Sequence, residues 1–345
     1  MDFDFSDEQY MLRDSVRDFL HKDCTPAEIR RIWEDETGRS PKRWKKLGEM
    51  GVLGLTVPEA NGGAGMDEID LVLLLEEAGR NLLPEPLLEH TAVGAPLLAR
   101  AGTDAQKAEW LTKAANGDAT ISISLAGQAY VQDATADVVI IEKNGELHAA
   151  TQDRLSLTPL KSVDGARRLF KVTAELDEAT RMGSANDDAA WAFDHAAAAT
   201  ATELVGVADA MLQTSIAYAK EREQFGQKIG SFQAIQHKLA ETFLLVESAK
   251  NAVYYAAYAL AKGLEDASIH VSVAKAYAGD AERRANYESL QVHGGIGFTW
   301  EHDLHLLLKR AKVDGHLFGS ASRHRERVAE FSGLPSLVPE GVQGL

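Results

Sequence analysis

The residues best equipped for chemistry fall in two short stretches of the C-terminal half. The first runs Arg222-Glu223-Gln224-Phe225-Gly226-Gln227-Lys228-Ile229-Gly230-Ser231-Phe232-Gln233. It sets a guanidinium and several amides beside glycines that permit close backbone approach, a combination suited to an anionic pyrophosphate. The same spacing also describes an interhelical loop that carries a solvated arginine. The second stretch is Gln291-Val292-His293-Gly294-Gly295-Ile296-Gly297-Phe298. Its glycines, ahead of a helical segment from Asp303, could turn backbone N–H groups towards a phosphate, and could equally end a helix. A third group, His302, His305, Asp314 and His316, places two histidines three residues apart, the spacing of a metal pair on one helix face. No Glu-x-x-His pair accompanies them, so they read as surface histidines and no metal site is expected.

The elements that must position these residues follow from periodicity. Ser6 followed by Asp7, Glu8 and Gln9 marks a helix start with acidic first-turn residues. Helical patterning then runs to about Asp118, broken by a loop at Pro58, Gly62, Gly63 and Gly65. From about Ala119 to Glu175 the period shifts towards strands: Thr120 to Leu125, Val138 to Ile141, Leu147 to Ala150, Leu155 to Leu157 and Leu169 to Thr173. Asn144-Gly145 supplies a hairpin signal. From about Asp187 to Glu330 the chain is helical again and free of proline. Leu239, Phe243, Val246, Val253, Ala257 and Leu260 recur as on a packed bundle helix. The expected architecture is mainly α with a small middle β-domain: a helical domain over 1–118, a shortened β-domain over 119–186 and a C-terminal helical bundle over 187–345.

Composition narrows the partners. The 345 residues are 45% hydrophobic, enough for two or three cores, and carry 52 acidic against 36 basic side chains. A net charge of −16 argues against nucleic acid or an anionic membrane as partner, while leaving room for a local basic site. Cys24 is the single cysteine, which excludes an intramolecular disulfide or a cysteine metal cluster. The start, Met1 to Phe5, lacks the features of a secretory signal. The longest apolar run, Leu71 to Leu75, falls far short of the roughly 20 residues of a membrane helix. A cytoplasmic location is expected.

Four ordered motifs give the chain a resemblance to the acyl-CoA dehydrogenases. Arg222 to Gln233, with Gln236 and His237 behind it, resembles that family's flavin-binding signature, and Gln291 to Phe298 resembles the segment that follows it. Met50 to Gly54 with Pro58 to Gly65 is similar to the family's N-terminal loop, and Ala101 to Gly117 to the segment entering its β-domain. The resemblance covers almost the whole chain. It implies a helical N-domain, a middle β-domain, a C-terminal four-helix bundle, a tetramer of two dimers, and FAD as cofactor. In the family the flavin spans a dimer interface, its ring in one subunit and its ADP end on the neighbour. The resemblance carries that ADP-end role to Arg222, Gln224, Phe225, Gln233, Gln291, Gly294 and Gly295. Family chemistry removes an acyl-CoA α-proton with a glutamate while the β-hydrogen leaves as hydride to the flavin.

The chain departs from the family where that chemistry happens. The expected Ala-Gly-Ser-Asp element reads Ala126-Gly127-Gln128-Ala129-Tyr130, and the following strand arrives about ten residues later, so the ring-side half-site looks deleted. Extending the match from Arg310-Ala311-Lys312 places Phe318 at the glutamate position. The alternative family position, near the start of the first bundle helix, falls on Ala196. Glu203 shares that helix face two turns on and is the fallback base. No catalytic residue is expected. The resemblance is then to the short, non-catalytic subunits of bacterial heterotetrameric dehydrogenases acting on bulky acyl-CoA thioesters, such as steroid side chains or dicarboxylic acids. It implies a longer catalytic partner subunit, and an electron-transfer flavoprotein or similar acceptor. Two alternatives stay open: a homomeric dehydrogenase with a shifted carboxylate base, and a pseudoenzyme acting by protein–protein contact.

Overall fold

The computed structural model describes residues 4–125, 130–132, 135–183 and 187–334. Ser6 begins the first helix by a capping box: its hydroxyl accepts from the Gln9 N–H, and the Gln9 side chain accepts from the Ser6 N–H at 2.8 Å. Thr103 and Gln106 repeat the device at the helix that begins at Asp104. The N-terminal helices are α1 (Asp7–Asp23), α2 (Pro26–Glu34), α3 (Pro41–Glu49), α4 (Glu68–Arg80), α5 (Ala95–Ala101) and α6 (Asp104–Asn116), with a π-helical segment, Leu88–Gly94, leading into α5.

The middle of the chain forms two three-stranded sheets. β1 (Ile121–Ser124), β3 (Val138–Lys143) and β4 (Glu146–Thr151) make the first, in the order β1-β3-β4, with β1 parallel to β3. The β3–β4 hairpin turns at Asn144-Gly145, both at positive φ, as its sequence predicts. β2 (Tyr130–Gln132), β5 (Leu155–Pro159) and β6 (Leu169–Ala174) make the second, antiparallel throughout, in the order β2-β6-β5. His90 ties the first sheet to the helices. Its Nδ1 accepts from the Ile121 N–H at 3.0 Å and its Nε2 lies 3.2 Å from Ala114 O, and burial holds its pKa down to about 4, so it serves as a neutral bridge.

Three long helices build the C-terminal part: α7 (Asp188–Glu221), α8 (Gln233–Ala261) and α9 (Ala267–His293). A small hairpin of β7 (Glu223–Gln224) and β8 (Gln227–Lys228) links α7 to α8. α10 (Leu304–Asp314) packs on α7, and α11 (Ala321–Phe331) on α9. Because α7, α8 and α9 alternate in direction, the end of α7, the start of α8 and the end of α9 meet at one end of the bundle. Tyr218 on α7 stacks on His293 at the end of α9, with ring centroids 4.4 Å apart.

α4 crosses α7 at very short range, which its small residues permit. A Cβ placed on Gly206 would lie 2.0 Å from Glu76 O, and one on Gly79 would lie 2.1 Å from Glu203 O. Gly206→Ala should therefore push α4 from α7 and cost about 1–3 kcal/mol. A lowered thermal unfolding midpoint is the expected result, and an unchanged midpoint would show that the crossing tolerates a side chain.

Candidate functional site

α7 carries two very different environments. At its C-terminal end the chain is open. Arg222, Gln224, Phe225 and Gln233 are exposed there, and Gln291, Gly294 and Gly295 join them from the end of α9. Neither the Arg222 guanidinium nor the Gln233 and Gln291 amides have a partner among the described residues. Phe225 is 93% exposed and sits at φ 53°, a costly state for a residue with a side chain. Gly294, at φ 62° and ψ −142°, occupies a region that only glycine enters readily. A Cβ on Gly226, Gly294 or Gly295 would meet nothing within 4 Å. Packing within the chain therefore does not require Gly295 to be glycine, and the cradle these glycines leave suits close approach of a diphosphate.

Towards the middle of α7 the chain is closed. Glu203 is 3% exposed, and its carboxylate pairs with the Arg167 guanidinium. Residues 203 and 222 are separated by about 28 Å along the helix axis. Arg167 projects from the β5–β6 connection and is itself buried. It donates to Glu89 of the π-helical segment at 3.3 Å, donates to Gln132 of β2, and lies 2.7 Å from Asp314 of α10 in an ion pair without hydrogen-bond alignment. Arg310, one turn before Asp314, donates to Asp164 at 2.6 Å and to Leu83 O at 3.1 Å. Lys275 donates to Asp314 O at 3.1 Å, and burial lowers its pKa to about 8. Burial likewise raises Glu89 and Asp314, against the attraction of Arg167. One cluster thus ties the N-terminal helices, the second sheet and the bundle together.

The position expected for a glutamate base is also closed. Phe318 is buried at φ 51°, and His324 donates Nε2–H to Phe318 O at 2.8 Å, which pins the turn between α10 and α11. Burial lowers the pKa of His324 to about 3, so the ring stays neutral. Ala196 is fully buried on α7. The Ala126 to Ala129 segment, where a ring-side element would begin, lies outside the described residues. Of the histidine group, His305 stacks on Trp300 at 4.6 Å and Asp314 belongs to the buried cluster; no group of three metal-type ligands occurs among the described residues.

Sequence reasoning missed Arg167 and its cluster. A glutamate inside the apolar run Leu87-Leu88-Glu89-His90-Thr91-Ala92-Val93 was the available signal, since a charge there needs a buried partner.

Comparison with known proteins agrees with this architecture. Residues 6–118 match the acyl-CoA dehydrogenase N-terminal domain and residues 187–333 match its C-terminal domain. The chain belongs to the acyl-CoA dehydrogenase family, whose members are FAD-binding oxidoreductases. It is 36% identical to the acyl-CoA dehydrogenase IpdE2 of Mycobacterium tuberculosis, over 91% of this chain and 94% of that protein. It resembles a chain of the ChsE4–ChsE5 complex from Mycobacterium tuberculosis with a TM-score of 0.88 and 26% identity, covering 97% of this chain and 100% of that one. It also resembles the Tcur3481–Tcur3483 steroid ACAD, with a TM-score of 0.86 and 25% identity over 94% of this chain and 98% of that one. No helix of the described residues is long and apolar enough to cross a membrane.

Removing the guanidinium of Arg167 would leave Glu89, Glu203 and Asp314 buried without their cation. Arg167→Met should destabilise the fold by about 3–5 kcal/mol. The orphaned carboxyls would stay protonated when folded, with pKa values above those of the unfolded chain. The variant should therefore be relatively more stable at low pH and lose stability as pH rises through the folded pKa values. Thermal midpoints measured at about pH 5 and pH 8 test this: the gap to the native chain should widen at the higher pH. An equal gap at both would contradict the assignment.

Proposed function

We propose that this chain is the non-catalytic subunit of a two-component, FAD-dependent acyl-CoA dehydrogenase. It supplies the ADP-end half-site for a flavin whose ring lies in a longer catalytic partner. The observation that carries this reading is the contrast along α7: an open, unpartnered donor set at Arg222, Gln233 and Gln291, and a sealed charge cluster around Glu203. A general base must present a free carboxylate within hydrogen-bond reach of the proton it removes. Glu203 is paired and buried, and neither Ala196 nor Phe318 offers a carboxylate.

When bound, FAD supplies the hydride acceptor for α,β-desaturation of an acyl-CoA thioester. The residues of this chain act at the other end. Arg222 balances pyrophosphate charge, the Gln224, Gln233 and Gln291 amides donate to its oxygens or to the ribose, and Gly294 and Gly295 let the backbone approach. Phe225 offers an aromatic face to the adenine. The exposure of Phe225, Phe298 (73%) and Tyr287 (62%) near the same end of the bundle suits a surface that a partner covers. The pairing of two proteins in the ChsE4–ChsE5 complex and the Tcur3481–Tcur3483 steroid ACAD supports a heteromeric assembly. The steroid substrate named for the second supports a bulky acyl-CoA, with electrons passing to an electron-transfer flavoprotein or a similar acceptor.

Arg222→Ala in this chain alone should weaken FAD retention of the complex roughly ten- to a hundredfold, the loss of one charge-assisted contact. Glu203→Gln should leave turnover within about a factor of three, against the 10²-fold or larger loss of a true base. Flavin retention after gel filtration and turnover with an artificial acceptor measure both. Undiminished retention in the first variant, or a collapse of turnover in the second, would overturn the reading in favour of a self-sufficient enzyme.

A further inference from the structure

His293 closes α9 immediately before Gly294, directly beneath the turn that the reading above gives to the pyrophosphate. The turn folds against it: a Cβ on Gly297 would lie 3.0 Å from His293 Cβ. The residue is 4% exposed. Its Nδ1 lies 2.8 Å from Ser289 O, so Nδ1 carries the proton, and Nε2 is a buried acceptor with no partner among the described residues. A buried nitrogen without a partner is costly, and no packing among the described residues accounts for it.

The surroundings hold the ring neutral while remaining ready for a cation. Tyr218 of α7 stacks on it at 4.4 Å, and His302, ahead of α10, meets it edge-on at 4.7 Å. His302 Nδ1 accepts from the Leu304 N–H at 3.1 Å. Across α8 and α9 the charges are already matched, with Lys238 and Glu288 paired at 2.7 Å, and Asp303 near His302 is paired with Arg30 at 2.6 Å. Arg222, one turn beyond Tyr218, is a cation of this end without a partner among the described residues. Burial, with a smaller effect from His302, holds the His293 pKa below the usual histidine range. Two features would stabilise a charged ring: the aromatic face of Tyr218 and the carbonyl end of α9.

We propose that His293 is a second, proton-dependent cation of the anion site, neutral when the Gly294–Gly297 turn is empty and protonated when a pyrophosphate settles on it. The inference rests on the ADP-end reading above. Two negative charges brought to the turn favour the imidazolium by direct attraction in a poorly solvated site. Proton uptake and FAD binding are then linked, so affinity rises as pH falls.

Calorimetric titration of the flavin-stripped complex with FAD, in two phosphate-free buffers of different ionisation enthalpy, counts the protons taken up. The pyrophosphate and flavin gain none between about pH 6 and pH 8. The native complex should take up a fraction of a proton and bind FAD about three- to tenfold more tightly at the lower pH. His293→Phe keeps the aromatic stack and should abolish both effects, while His302→Asn should retain the uptake. Absence of uptake in the native complex, or its persistence in His293→Phe, would overturn the proposal. Arg222→Ala separates the two levels. Weakened FAD binding without proton linkage sinks the His293 role alone, whereas unchanged binding sinks the ADP-end reading beneath it.

Discussion

The structure depends on one buried arginine. Arg167 gathers Glu89, Gln132, Glu203 and Asp314 from a π-helical segment, a strand and two helices, and Arg310 extends the cluster to Asp164 and the carbonyls of Leu82 and Leu83. Four carboxylates face two guanidiniums there, with Lys275 held close by the Asp314 carbonyl. Such a cluster adds little net stability over apolar packing, because each charge has first lost its water. It does dictate where the second sheet sits on the helices, since any other docking would strand several charges at once. The same contacts take up the one carboxylate on this face of α7 that could have been a base.

A helix of 34 residues can therefore serve opposite purposes at different points along its length. Its alanine-rich first half and the single glycine at its middle allow close approach, with α4 nearly touching its backbone at Gly206. Its last turn opens into a hairpin beside which the Arg222, Gln233 and Gln291 side chains have no partner among the described residues. Rigidity in the first supports exposure in the second: a donor set held on the ends of three packed helices is ordered before a ligand arrives, which lowers the entropic cost of binding.

Much of this was legible in the sequence, for reasons that can be named. Ser6 and Gln9 announce a helix start because a short-range cap is encoded within four residues. Asn144-Gly145 announces its hairpin because few other pairs accept positive φ. Motif resemblance and turn glycines single out Arg222 to Gln233 and Gln291 to Phe298, and the structure brings both stretches to one end of the bundle. The buried cluster was not legible, because Arg167 meets Glu203 and Glu89 at separations of 36 and 78 residues, beyond any local periodicity. The sequence groups Asp314 with His302, His305 and His316, whereas the fold turns it inward to Arg167. The two-residue strands β7 and β8 and the π-helical segment leave too short a pattern to be read in advance.

The proposed division of labour, with a cofactor-binding end on this chain and the catalytic centre on a partner, is best tested by counting flavin. On that proposal, a complex of this chain with a longer catalytic subunit, purified with two copies of each, should contain two FAD molecules by absorbance against protein concentration. Each would be shared between a partner's ring pocket and the Arg222 end of this chain. Four FAD molecules per complex would mean that this chain also houses a ring-side site, and would contradict the account.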